Sequence, residues 1–131
     1  MSNHALRSLP SNAASTWIAA LAALAFLGLG LRALLAPTAA AASFGVPLAS
    51  GDGLAFVRAF GARNIGLSLV ALALIALDKR RGLAAVFCAA ALIAALDFSI
   101  VATRAGALPA AKHLVYVVAL SGFGFWFAAR R

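Results

Sequence analysis

The chain has 131 residues, 65% hydrophobic and 11% charged, with a mean hydropathy of +1.03. That is far more apolar surface than one small water-soluble core can bury, so composition excludes a soluble globular domain and points to an integral membrane protein with a single domain, residues 1–131. Eleven Lys and Arg stand against three Asp and no Glu, a formal net charge of +8; loops facing anionic lipid account for it, and nucleic acid is not an expected partner.

Four runs reach the roughly 20 apolar residues needed to cross a bilayer. The first, Trp17 to Ala36, reads WIAALAALAFLGLGLRALLA. Arg7, this run and the following PTAAAAS resemble the three zones of a secretory signal. The run is of spanning length, continues through Arg32 and precedes three further spans, so it is read as a membrane helix. The connection PTAAAASFGVPLASGDG is long enough for a short interfacial helix around Ala39 to Phe44. The second span, Leu54 to Leu77, is followed by the charged turn DKRRG; the third runs from Leu83 to Thr103. The segment RAGALPAAK reads as a loop, and the fourth span covers His113 to Ala129. These runs are too long and too continuous for barrel strands, which leaves an all-α integral membrane four-helix bundle.

Orientation follows from the positive charges. Arg7, the Lys79–Arg80–Arg81 turn, and Arg130 with Arg131 fall on one side, against Arg104 and Lys112 on the other. The positive-inside bias then places both termini in the cytoplasm, in the cytoplasmic (inner) membrane. Trp17, Phe125 and Trp126 would mark the inner boundary, with Phe44 and Phe56 near the outer one.

On that orientation the polar intramembrane residues converge. Arg32, Arg58, Arg63, Asn64, Asp97, Ser99, His113 and Tyr116 all fall in the outer half, while the inner half is Ala, Leu, Val, Ile and Phe. Arg32 and Arg58 lie close enough to the interface to extend their charged ends to it. Arg63 and Asp97 are deeper, where an isolated charge is costly, and an intramembrane ion pair between them is expected; a ligand or proton site could use the same two groups. Phe60, Asn64 and Ser68 share one helix face by their spacing of four, and His113 and Tyr116 share another. Gly28, Gly30, Gly61 and Gly66 read as close-packing positions and Cys88 as core. A single cysteine excludes an internal disulfide, and the chain holds no His/Cys cluster with metal spacing and no nucleotide-binding or nucleophile-elbow motif, so no metal and no cofactor is expected. Small four-helix multidrug exporters resemble one another in a glutamate within the first helix, which is missing here.

The pieces FGVPL, RAFGARNIGLSLVALAL, LDKRRG, LDFSIV and the start of the fourth span at His113 resemble the small membrane proteins grouped as domain of unknown function 4267, which are distantly DoxX-like. The resemblance covers nearly the whole chain after its first dozen residues. It implies a four-helix membrane fold with characteristic polar positions at Arg58, Gly61, Arg63, Asn64, Asp97 and His113. The family often carries an aspartate where this chain has Asn64, so an acid–base role does not transfer to that position.

Two functional classes follow. In the first, Arg58, Arg63, Asn64, Asp97, His113 and Tyr116 bind an amphipathic small molecule or lipid, or hold the chain in a homo-oligomer or with a membrane partner. In the second, the protein is an intramembrane enzyme that opens an epoxide or isomerises a lipophilic substrate, with Asp97 as acid or base, His113 shuttling protons, and Tyr116 and Asn64 orienting the substrate.

Overall fold

Long stretches of Ala, Leu and Val without an internal proline favour helix, and a bilayer leaves helix as the simplest way to satisfy every backbone group. In a computed structural model, which describes residues 13–48 and 51–129, the chain forms five helices: α1 (Ala14–Leu35), α2 (Pro37–Phe44), α3 (Asp52–Ala76), α4 (Arg80–Ala105) and α5 (Ala107–Ala129). Among the described residues there is no strand. Helices α1, α3, α4 and α5 are each long and apolar enough to cross a membrane, at about 33–39 Å by the helical rise. The expected four helices are therefore four spans plus a fifth, short one. Arg7, Arg130 and Arg131, which carry much of the orientation reading, lie outside the described residues.

The breaks between helices have local causes. Pro37 starts α2, where its missing N–H costs no helical bond. Gly45 ends it in the left-handed region at φ 111°, with Val46 N–H donating back to the Ala41 carbonyl at 3.1 Å. A side chain at Gly45 would also press on Val101, 2.8 Å from its Cγ1. The same motif closes α3 without glycine: Asp78 takes φ 59° and Lys79 N–H reaches the Leu74 carbonyl at 2.8 Å. Between α4 and α5 only Gly106 stands outside helix, at φ 91° and ψ 172°, a combination open to glycine alone. The segment RAGALPAAK is thus helical on both sides of one residue rather than a loop, and α5 begins six residues before His113.

The helices pack as two close pairs, α1 with α3 and α4 with α5, while α3 touches α4 only lightly. Glycine sets the first pair. A Cβ at Gly30 would lie 2.7 Å from the Gly61 carbonyl oxygen, and one at Gly61 would lie 2.7 Å from that of Gly30. Gly28 and Gly66 have open space around them, so only two of the four glycines read as packing positions act as such. In the second pair Gly124 lies against Cys88, whose side chain is exposed at the helix edge rather than in the core.

Burial follows a membrane pattern. The buried set is dominated by alanine, including Ala19, Ala23, Ala71, Ala84, Ala91 and Ala94, whereas Leu21, Leu92, Val115, Val118 and Phe125 face outward. Small residues inside permit close helix approach, and large apolar residues outside match lipid. Phe87, Leu83, Leu120 and Phe127 fill the space between the pairs at one end, where Arg80 also stacks its guanidinium 5.8 Å from the Phe127 ring centroid.

The reciprocal glycine contact yields a prediction. Gly61→Leu should destabilise the protein by roughly 1–3 kcal/mol, the usual penalty of overpacking, whereas Gly66→Leu should leave stability within about 0.5 kcal/mol. Thermal unfolding in detergent measures both; equal effects would contradict the crossing.

Candidate functional site

Helix α2 is eight residues long, and its last four carbonyls have no partner within the helix. All four are satisfied. Ala41 and Ala42 accept from the Gly45 turn, Ser43 accepts from the Lys112 ammonium, and Phe44 accepts from His113 Nε2 at 3.1 Å. Arg32 on α1 adds a long contact to the Ala39 carbonyl at 3.5 Å. Because a carbonyl only accepts, Nε2 of His113 carries the proton, and neutral His113 keeps Nδ1 as an acceptor. Cations at a helix C-terminus also oppose its negative pole. One turn of α5 therefore holds the end of α2 across 69 residues of sequence.

His113 is buried and its ring is flanked by aromatics. Phe44 meets it edge-on with centroids 4.9 Å apart, and Tyr116 does so at 6.1 Å. Phe44 also meets Phe60 of α3 edge-on at 5.7 Å. These contacts join α2, α3 and α5 around a cavity of about 500 Å³ that opens between the two helix pairs. Its polar wall is formed by Arg32, Asn64, Asp97, Lys112, His113 and Tyr116, and its apolar wall by Phe26, Leu29, Ile93, Leu120 and Phe123 among others. A smaller extension of about 50 Å³ runs deeper, past Leu67, Val86 and Phe87.

Asn64 is 6% exposed, and its neighbour Ser68 donates its hydroxyl to the Asn64 backbone carbonyl at 2.7 Å. The shared face of these two residues thus serves a bond within α3 rather than one between helices. No hydrogen bond occupies the Asn64 side-chain amide among the described residues, and it lines both the large cavity and its extension. Asp97 is half-buried on α4, within electrostatic range of His113 and Arg63.

The site differs from its sequence reading in several ways. Arg63 and Asp97 do not form the expected ion pair: no salt bridge joins them, and a separate cavity of about 400 Å³ lies between α2, α3 and α4 with both residues in its wall. The light contact between α3 and α4 leaves the two side chains apart. Arg58 is exposed and lines neither cavity. His113 is a buried bond donor, and Phe44 is part of the site rather than a boundary anchor. Arg32, expected only to reach the interface, lines the cavity, as does Lys112. Phe44, Phe60 and Lys112 are the members that residue-by-residue reading misses. A proline and a glycine eight residues apart flank PTAAAASF, and that pairing is the sequence signal for α2.

A small all-α protein with four membrane-length helices in two pairs, a short helix tied to their ends and a polar-walled cavity between them defines the class: a polytopic membrane protein with an internal cavity of ligand size. Within that class the chain belongs to the family described as domain of unknown function DUF4267, whose model matches residues 23–127. The match includes every polar residue of the cavity wall. No curated protein and no solved structure matches the chain.

If α2 is held as described, Lys112→Met together with His113→Phe should free its C-terminal turn. Amide hydrogen exchange at Phe44 to Val46 should rise about tenfold, the equivalent of about 1.4 kcal/mol, while exchange in the middle of α1 stays unchanged. Equal protection in wild type and variant would contradict the anchoring.

Proposed function

We propose that the protein is an inner-membrane module that binds a lipophilic small molecule or lipid in the cavity between its two helix pairs. The polar end of the ligand would meet Asn64, Asp97, His113 and Tyr116, and its apolar part would run along Phe26, Ile93 and Phe123. One observation carries this reading. Asn64 is 6% exposed as a residue, lines the cavity and its deeper extension, and none of the hydrogen bonds found among the described residues engages its side-chain amide, which leaves that amide free to bond a guest. A guest with a carbonyl or hydroxyl group can bond it from the cavity. Mixed lining of this kind, mostly apolar with a few convergent polar groups, suits an amphipathic guest. The cluster of Lys79, Arg80 and Arg81 lies at the end of the spans away from α2, which supports a cytoplasmic position for that turn and for both termini.

The catalytic alternative receives less support. Epoxide opening or isomerisation through Asp97 needs an assembled acid–base relay, yet among the described residues the Asp97 carboxylate has no hydrogen bond to His113, Tyr116 or Asn64.

Untargeted mass spectrometry of small molecules released from purified protein tests the proposal. An amphiphile should be enriched at least fivefold on wild type over Asn64→Leu, the ratio equivalent to about 1 kcal/mol. Asn64→Leu should unfold at about the same temperature as wild type, since the Ser68 bond goes to the Asn64 backbone carbonyl and the substitution breaks no side-chain hydrogen bond. Loss of stability without any enriched compound on wild type would assign Asn64 a purely structural role and overturn the reading.

A further inference from the structure

The second cavity, of about 400 Å³, adjoins the first at Phe44 and Phe60, the edge-to-face pair that lines both. Among the described residues its only charged groups are Arg63 and Asp97; the rest of its wall includes Val46, Leu48, Val57 and Ile100. The two charges face one space without pairing, so neither satisfies the other. Both are deep. Arg63 lies about three turns into α3 and Asp97 about two turns before the end of α4, or about 17 Å and 12 Å along their helices.

That arrangement constrains what can occupy the cavity. The site already balances one positive and one negative group, so an ionised guest would add an uncompensated charge at membrane depth. An anion would satisfy Arg63 and be repelled by Asp97, and an amine would do the reverse. A neutral guest with an acceptor for the guanidinium and a donor for the carboxylate satisfies both. Phe56 and Ile100 in the same wall are strongly exposed on the outer surface of α3 and α4, so the cavity opens to the side, toward lipid.

From this geometry we infer that the second cavity receives the polar end of an uncharged lipid bearing both hydroxyl and carbonyl groups, the chemistry of a glyceride, with a carbonyl oxygen accepting from Arg63 and a hydroxyl donating to Asp97. Its chain leaves past Phe56 and Ile100 into the bilayer. The site shares Asp97 with the proposed chamber but depends on Arg63, whereas the chamber depends on Asn64.

Four probes with one common chain test it: 1-monooleoylglycerol, methyl oleate, oleate and oleylamine, each titrated onto the detergent-purified full chain and read by native mass spectrometry. Monooleoylglycerol should bind at least fivefold tighter than the other three. Arg63→Met and Asp97→Asn should each abolish that preference, and Asn64→Leu should keep it. Arg63 is exposed, so Arg63→Met carries the test even where Asp97→Asn does not fold. Equal binding of the four probes, tighter binding of oleate or oleylamine, or a preference kept in Arg63→Met but lost in Asn64→Leu would overturn the inference; the last result would place the lipid in the chamber and leave the chamber proposal standing.

Discussion

The last four carbonyls of a helix have no partner within it, and leaving one unpaired away from water costs about 1–3 kcal/mol. The carbonyl end of α2 meets that requirement with three bonds from the Gly45 turn, to Ala41 and Ala42, and two from Lys112 and His113 of α5. Much of the site follows from it. For Lys112 and His113 to reach Ser43 and Phe44, the first turns of α5 must lie beside α2, and the single-residue link at Gly106 places them there. With His113 so oriented, its ring meets Phe44 and Tyr116, and Phe44 meets Phe60. A chain of aromatic contacts thus ties three helices together around the cavity.

The cavity exists because packing is strong within the helix pairs and weak between them. Gly30 against Gly61 and Gly124 against Cys88 bring each pair to backbone contact, and alanines line the inner faces. Such small side chains cannot fill the gap where the pairs diverge. Large residues close it only at the end occupied by Leu83, Phe87 and Phe127. The other end therefore combines open volume with the polar side chains of four helices, and the arrangement requires little specialised backbone beyond α2 and its turn.

The four spans are legible in the sequence because about 20 consecutive apolar residues have one inexpressive but robust meaning, a membrane-length helix. Convergence of Asn64, Asp97, His113 and Tyr116 is legible too, since depth along alternating helices follows from counting residues. Lateral geometry is not. Whether Arg63 reaches Asp97 depends on how closely α3 approaches α4, which no periodicity within either helix encodes; the pairs instead leave both residues in the wall of one cavity without a salt bridge. The helical state of RAGALPAAK turns on one glycine conformation, and a Pro109 in the first turn of α5 reads as a loop signal until the helix start is known. Phe44 and Lys112 escape notice because their partners are backbone atoms and rings far away in sequence.

That a buried face of α3 opens onto the cavity with its polar wall, and not onto lipid, is tested most directly by thiol reactivity. In a Cys88→Ala background, Asn64→Cys and Ala62→Cys are compared for labelling by N-ethylmaleimide in native membranes. Asn64 is buried within the protein and Ala62 is exposed on the helix surface, yet maleimide needs a thiolate, which forms in a hydrated cavity and not in lipid. Rapid labelling is expected at position 64 and none at 62. Labelling at 62 with an inert 64 would contradict it.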